Sequence, residues 1–203
     1  MDYVLDTVKR YPVLEGCEKD IRSAVEAIVN MYNTQNKLLL CGNGGSAADS
    51  EHISGEFLKG FMKKRPYESG ELELEDDILL KLQKGVAAIP LTSLSASLTA
   101  FNNDVDPMLN YAQLVQALGR RGDVFMGLST SGNAKNVAYA AKTANAVGMV
   151  TIGLTGEKGG LLKDICHITI RVPENETYKV QELHLPVYHA ICAQVEEELF
   201  KKG

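Results

Sequence analysis

The segment Leu38 to Phe57, LLLCGNGGSAADSEHISGEF, constrains this chain more than any other. Its apolar start, Leu38 to Cys41, reads as a buried strand. The chain then breaks at Gly42-Asn43-Gly44-Gly45-Ser46 and enters a helix carrying His52 and Glu56. Glycines at the carboxyl end of a strand let the backbone approach a ligand closely, because no Cβ intervenes. The unpaired N–H groups of the helix that follows point at the same spot, where an anion or hydroxyl-rich group can accept them. One turn further on, positions i and i+4 share a face, so the His52 imidazole and the Glu56 carboxylate can converge on one centre. A cradle feeding directly into a His/Glu pair points to an active site. Each half alone has a plainer reading: tight βα packing for the glycines, and a surface pair worth about 0.2–0.5 kcal/mol for His52 and Glu56.

Around this segment, helix and strand patterns alternate. Asp2 to Lys9 reads as a short helix, parted at Tyr11-Pro12 from a longer one over Leu14 to Tyr32. In the longer one Ile21, Val25, Ile28, Val29 and Tyr32 form an amphipathic stripe, suited to a sheet face or to a subunit contact. The helix after the glycine loop is expected from Ser46 to between Gly60 and Lys64. Residues 65–84 change character, with Pro66, Ser69, Gly70 and the acidic run ELELEDD. They read as a solvated excursion with a short helix over Asp77 to Gln83. Further strands are expected at Val86–Leu91, Val124–Leu128, Met149–Leu154 and Ile168–Val172. Helices are expected over Thr92–Phe101 (ended by Asn102-Asn103-Asp104), from Asp106-Pro107 to Leu118, over Ala134–Val147 and over Val180–Leu199, the last kinked at Pro186. Such alternation predicts an α/β fold whose parallel sheet is covered on both faces and binds ligands beyond the carboxyl ends of its strands.

Composition narrows the classes. At 203 residues the chain suits one domain, 1–203, with N-terminal helices in 1–36 and an acidic insertion at 65–84. A net charge of −5 without a basic patch argues against nucleic acid as a partner. With no run of 18 apolar residues, and acids near the N-terminus, neither a membrane span nor a signal peptide is expected, so the location expected is cytoplasmic. Cys17, Cys41, Cys166 and Cys192 are scattered, without CxxC, and read as reduced, buried thiols.

The loops carry the chemistry. GNGGS lacks both the GxGxxG spacing and the Gly-Lys pair of a P-loop, so nothing marks nucleotide binding. Ser129-Thr130-Ser131-Gly132-Asn133 offers hydroxyls and backbone N–H groups just before a helix, which suits a phosphate monoester. Plain N-capping is the alternative. In the C-terminal helix Gln181, Glu182, His184 and His189 cluster in an apolar run. Gln181 and His189 are separated by about 80° and about 12 Å on a continuous helix. For both to meet one metal, the helix must fray or kink between them, or the two must serve sites in different subunits. His184 points elsewhere and reads as structural, as does His167 beside Cys166.

Taken together, GNGGSAADSEHISGEF, NND, LSTSGNAKNV, TGEKGG, RVP and QELHLPVYH resemble the sugar isomerase (SIS) domain family, and within it the branch that isomerises heptose phosphates. The resemblance runs from about Leu38 to Leu199 in matching order. It implies a three-layer, flavodoxin-like sandwich around a five-stranded parallel sheet. It implies a homotetramer with sites at subunit contacts, and one zinc ion per subunit held by His52, Glu56, Gln181 and His189. It places sugar-phosphate contacts on Asn43, Gly44, Gly45, Ser46, Glu56, Asn103, Asp104, Ser129, Thr130, Ser131 and Gln181. The implied reaction turns sedoheptulose 7-phosphate into D-glycero-D-manno-heptose 7-phosphate through a cis-enediol, with Glu56 as base and His189 as acid. Two imidazoles, a carboxylate and an amide make a reasonable set of zinc donors. A carbon-bound proton needs a base and the neighbouring oxygen an acid, which this pair supplies.

Two departures stand out. Ala134 occupies a position where the family usually has another phosphate-contacting serine, and residues 65–84 are longer than usual. Other family members are non-catalytic adaptors, sugar-phosphate sensors joined to DNA-binding domains, and isomerases of shorter sugars. The retained Glu56 and His189 favour an enzyme over an adaptor, and no basic helix-turn-helix segment precedes Leu38.

Overall fold

Alternating side chains sort the chain into layers. A computed structural model, describing residues 1–200, begins with α1 (Tyr3–Arg10), a 3₁₀ turn over Pro12–Cys17 and α2 (Glu18–Asn33). The Asp2 carboxylate caps α1 by accepting the Leu5 N–H at 2.9 Å. There follow β1 (Leu38–Cys41), α3 (Gly45–Leu58), the one-turn α4 (Asp76–Leu79), β2 (Ala88–Pro90), α5 (Ser95–Asp104) and α6 (Asn110–Leu118). The chain continues through β3 (Val124–Leu128), α7 (Lys135–Val147), β4 (Val150–Gly156), the short α8 (Leu162–Ile165), β5 (Ile168–Val172) and α9 (Thr177–Leu199).

The five strands form one parallel sheet in the order β2-β1-β3-β4-β5. Leu40 pairs in register with Met126, and Leu154 with Ile170. All of β1 is buried: Leu38 and Leu40 join a core with Ile21, Ile28, Phe57 and Val187, whereas Leu39 and Cys41 face Val115, Phe125 and Val137. Hence α1, α2, α3 and α9 cover one face and α6, α7 and α8 the other, giving the three-layer α/β sandwich. The stripe on α2 packs against the sheet, with Ile21 and Ile28 fully buried. This strand order reverses direction between β1 and β3, and in open parallel sheets that crevice is where ligands bind. GNGGS leaves β1 and STSGN leaves β3, so both loops open on it.

Several boundaries differ from the pattern-based expectation for local reasons. Pro90 has no N–H for the ladder, and β2 ends there in a 3₁₀ turn over Leu91–Ser93. Asn102, Asn103 and Asp104 form the last turn of α5 rather than stopping it. The helix expected over 77–83 is confined to Asp76–Leu79. Helix α9 starts earlier than expected, at Thr177, and runs unbroken through Pro186. The 65–84 excursion is pinned at its base, where Lys84 N–H donates to the Arg65 carbonyl at 2.7 Å and Gly60 N–H to Gln83 Oε1 at 3.0 Å. Most of it is exposed, with Leu79 as its buried apolar anchor.

Among the described residues the four cysteines are free and, apart from the partly buried Cys166, buried. Burial pushes their thiols upward, away from reactive thiolate. His167 is structural, its Nδ1 accepting the Thr151 N–H at 3.1 Å across the β4–β5 pair. His184 is fully buried on α9, with both ring nitrogens lacking a hydrogen-bond partner. Burial holds its imidazole down to about 4; the Thr155 backbone opposes this only partly.

Candidate active site

Two βα turns form the floor of the crevice. Tyr111 Oη donates to the Gly42 carbonyl at 2.7 Å and fixes the first. The Asn43 and Asn136 side-chain amides exchange two hydrogen bonds of 2.9 Å, tying the first turn to the start of α7. In the second turn Ser129 is buried and Ser131 exposed, and Ala134 N–H donates to Ser129 Oγ at 3.4 Å. Ser129 thus holds the backbone of the residue at which α7 begins, while Ala134 itself offers no capping side chain. Gly132 takes φ +68°, and a Cβ there would run into the Gly159 carbonyl, which brings TGEKGG against STSGN. The turns therefore present hydroxyls, amides and the α7 N-terminus to one space, the donor set a phosphate needs.

The titratable cluster lies on α3 and α9. His52 Nε2 is 3.2 Å from Glu56 Oε1 and 3.5 Å from His189 Nε2. Glu56 Oε2 also meets Lys59 Nζ at 3.4 Å. Burial, with His52 close by, lowers the His189 pKa and favours its neutral form. On the far side of His52, Nδ1 lies 3.0 Å from Tyr188 Oη, which donates to Asp49 Oδ1 at 3.2 Å. Burial raises the Asp49 carboxyl, and the Tyr188 hydrogen bond opposes that rise.

Gln181 takes a different place. A Cβ on Gly45 would displace the Gln181 amide, so the glycine leaves room for that side chain where α9 crosses the start of α3. The two helices run in the same direction, with Gln181 at the glycine loop and His189 at His52. On an unbroken α9 the two side chains are about 12 Å apart along the axis. Among the described residues no hydrogen bond joins Gln181 to His52, Glu56 or His189. Asn103 and Asp104 are exposed at the end of α5, Asn103 Nδ2 donating to Asp104 Oδ1 at 2.8 Å. Among the described residues neither bonds to His52, Glu56 or His189.

A buried clamp holds the end of α3. Glu196, 1% exposed, accepts the Phe61 N–H at 2.9 Å, the Met62 N–H at 2.7 Å, the Lys63 N–H at 3.0 Å and Arg65 Nε at 2.7 Å. Arg65 donates in turn to the Phe57 carbonyl at 2.9 Å and the Glu56 carbonyl at 3.4 Å. The backbone of Glu56 is thereby anchored to α9. Beside His189, a cavity of about 510 Å³ is bounded by Thr7, Arg10, Tyr11, Phe61 and Met62.

Asp49, Tyr188, Asn136, Arg65 and Glu196 were not singled out from sequence. Only Asp49 carried a local signal, three residues before His52 on the same helix face. Among the described residues no three or more His, Cys, Asp or Glu side chains already enclose a metal-sized space. The 3.2 and 3.5 Å separations around His52 nonetheless match neighbouring donors of a tetrahedral ion, which at about 2.0–2.1 Å from the metal lie about 3.3 Å apart. The donor pairs fit a metal, while the group as a whole does not enclose one.

A parallel sheet with hydroxyl-rich turns at its switch point, and a His/Glu cluster on the helix that leaves one of them, is an arrangement suited to a sugar phosphate. The chain belongs to the SIS domain family, whose model matches residues 3–156. It is 42% identical over 183 residues to phosphoheptose isomerase 2 of Campylobacter jejuni, covering 90% of this chain and 82% of that one. It is 40% identical over 182 residues to the phosphoheptose isomerase of Clostridium acetobutylicum, covering 90% and 84%. Among solved structures, the phosphoheptose isomerase of Neisseria gonorrhoeae superposes with a TM-score of 0.75 at 32% identity, covering 94% of each chain. Its similarity is thus to sugar-phosphate isomerases over nearly the whole described fold. Among the described residues no helix is long and apolar enough to cross a membrane.

Proposed function

We propose that this protein interconverts sedoheptulose 7-phosphate and D-glycero-D-manno-heptose 7-phosphate. The observations that carry the reading are the convergence of His52, Glu56 and His189 where α3 meets α9, and two phosphate-suited turns at the switch point of the sheet from which α3 leaves. The phosphate is held by Ser129, Thr130, Ser131 and the α7 N-terminus, with Asn43, Gly44, Gly45 and Ser46 along the sugar. Binding the remote phosphate supplies energy that orients the reacting carbons. Glu56 removes the C1 proton of the ketose, and the C–H electrons form the C1–C2 double bond of a cis-enediol as His189 protonates O2. Glu56 then returns the proton to C2 while His189 takes the proton from O1, leaving the aldehyde.

We assign one zinc ion per subunit to His52, Glu56 and His189, with Gln181 as the fourth ligand. When bound, zinc supplies a positive charge that lowers the cost of negative charge on the sugar oxygens. We also infer a homotetramer with sites at subunit contacts. The spacing on α9 supports this: Gln181 and His189 are set about 12 Å apart along the helix, a gap that two copies of the chain can close at one centre. Asn103 and Asp104, away from the cluster within one chain, would contact sugar across the same junction.

The test is turnover of sedoheptulose 7-phosphate by zinc-replete protein, with products resolved by NMR, alongside Glu56→Gln and His189→Ala. Conversion to the aldoheptose phosphate that both substitutions abolish, with the fold retained, is the expected result. Activity confined to a shorter sugar phosphate would overturn the substrate, and no turnover on any sugar phosphate would overturn the enzyme reading.

A further inference from the structure

A line of polar groups ends on His52 from the side opposite Glu56. The Tyr188 ring is 1% exposed, and its Oη lies 3.2 Å from Asp49 Oδ1 and 3.0 Å from His52 Nδ1. Asp49 and His52, three residues apart on α3, both face α9 across this hydroxyl. A phenol has one proton to give, and a carboxylate only accepts. The proton placed toward Asp49 leaves the phenol oxygen to accept an N–H from His52 Nδ1. His52 Nε2 is then unprotonated, with its lone pair toward the centre it shares with Glu56 and His189.

The competing arrangement puts the ring proton on Nε2, donating to Glu56. Tyr188 must then turn its proton toward Nδ1, and Asp49 loses its donor. Among the described residues no other side chain hydrogen-bonds to Asp49, which is half-buried, whereas Glu56 keeps Lys59 in either case. The favoured tautomer leaves the Nε2 lone pair 3.2 Å from Glu56 Oε1, a repulsion that a cation held between them removes, whereas a part-buried carboxylate stripped of its donor has no such remedy.

We propose that Asp49 and Tyr188 are positioning residues that hold His52 in its Nδ1–H tautomer and so present an unprotonated Nε2 to the metal. This rests on the zinc site of the proposed function, since a ring nitrogen must be free of its proton to ligate. Hydrogen-bond partners that orient a ligating histidine typically account for about 10–100-fold in metal affinity. Tyr188 also serves packing, because its ring is buried against α3, and the two roles separate cleanly by removing the hydroxyl alone.

The experiment uses metal-free, full-length protein labelled with ¹⁵N-histidine at about pH 8, where free imidazole is neutral. Long-range ¹H–¹⁵N spectra report the tautomer of each ring, and His52→Gln assigns the His52 signals. Wild type should show His52 as Nδ1–H. Tyr188→Phe, which keeps the buried ring, should move it to Nε2–H and weaken zinc binding about 10–100-fold in competition with a chromophoric chelator. Asp49→Asn should shift the tautomer in the same direction, because an amide can donate to the phenol oxygen and free its proton for Nδ1. A wild-type Nε2–H tautomer, or a tautomer unmoved in both variants, would overturn the proposal. A tautomer that switches as expected in protein that binds no zinc would uphold the relay and overturn the metal assignment.

Discussion

Replacing Glu196 with glutamine changes one atom, yet it should loosen the segment that follows the helix bearing His52 and Glu56. Glu196 uses Oε1 for the Phe61 N–H and Arg65 and Oε2 for the Met62 and Lys63 N–H groups. Whichever way the new amide turns, its NH₂ faces two donors, so two bonds to a charged acceptor are lost. At about 1.5–3 kcal/mol each the sum is about 3–6 kcal/mol, and the range for breaking a buried ion pair by removing one partner narrows it to about 3–5 kcal/mol. For a domain of this length each kcal/mol moves the melting midpoint by about 2–4 °C, so the expected drop is about 6–20 °C. The assay is thermal unfolding followed by circular dichroism at fixed protein concentration, since assembly would make the midpoint concentration-dependent. Glu197→Gln is the matched control: its partners, Lys63 and the N-terminal ammonium, lie at the surface, and its midpoint should barely move. Because Arg65 also bonds the Glu56 and Phe57 carbonyls, turnover of Glu196→Gln should fall even at temperatures where it is folded. A midpoint within about 3 °C of wild type would refute the reasoning, showing that water or a shifted backbone replaces the carboxylate.

Two further outcomes follow from buried features. The His184 imidazole is held down to about 4 when folded, against 6.5 when free, so the unfolded chain binds the extra proton between those values. Stability should therefore be intact above pH 6.5 and decline as pH falls toward 4, by up to about 3 kcal/mol from this group; His184→Met, which leaves no polar atom unpartnered, should flatten that decline in pH-dependent denaturant titrations. Gly45→Ala should leave the melting midpoint nearly unchanged, since alanine suits a helix start, while the displaced Gln181 amide lowers kcat/KM about 10–100-fold. Unchanged kinetics would place Gln181 outside the reaction.

Much of the architecture was legible because strand and helix periods are local properties. The runs at Leu38–Cys41, Val124–Leu128 and Ile168–Val172 became strands with those bounds: the first two are buried throughout, and the third, at the sheet's edge, buries Ile170 and Val172 and exposes Arg171. The His52–Glu56 pair was legible for the same reason: four residues along a helix fixes a shared face whatever the rest of the chain does. Boundaries moved where a short-range effect outweighed the pattern, as at Pro90, where the missing N–H ends the ladder.

What no local pattern carries is a contact between distant segments. The sequence by itself determined the alternating α/β order, the two ligand-facing turns and the His52–Glu56 face. Only the tertiary structure decided that β1 and β3 are neighbours, which puts both turns in one crevice, and that α9 lies beside α3, which brings His189 to 3.5 Å from His52. It alone joined Tyr188 to Asp49 and Glu196 to Arg65, pairs separated by 139 and 131 residues. The physical reason is that hydrogen bonding within a helix or turn is set by neighbours along the chain. Packing between helices is set by which apolar faces the whole sheet brings together, and only then do single polar atoms find partners across the gap.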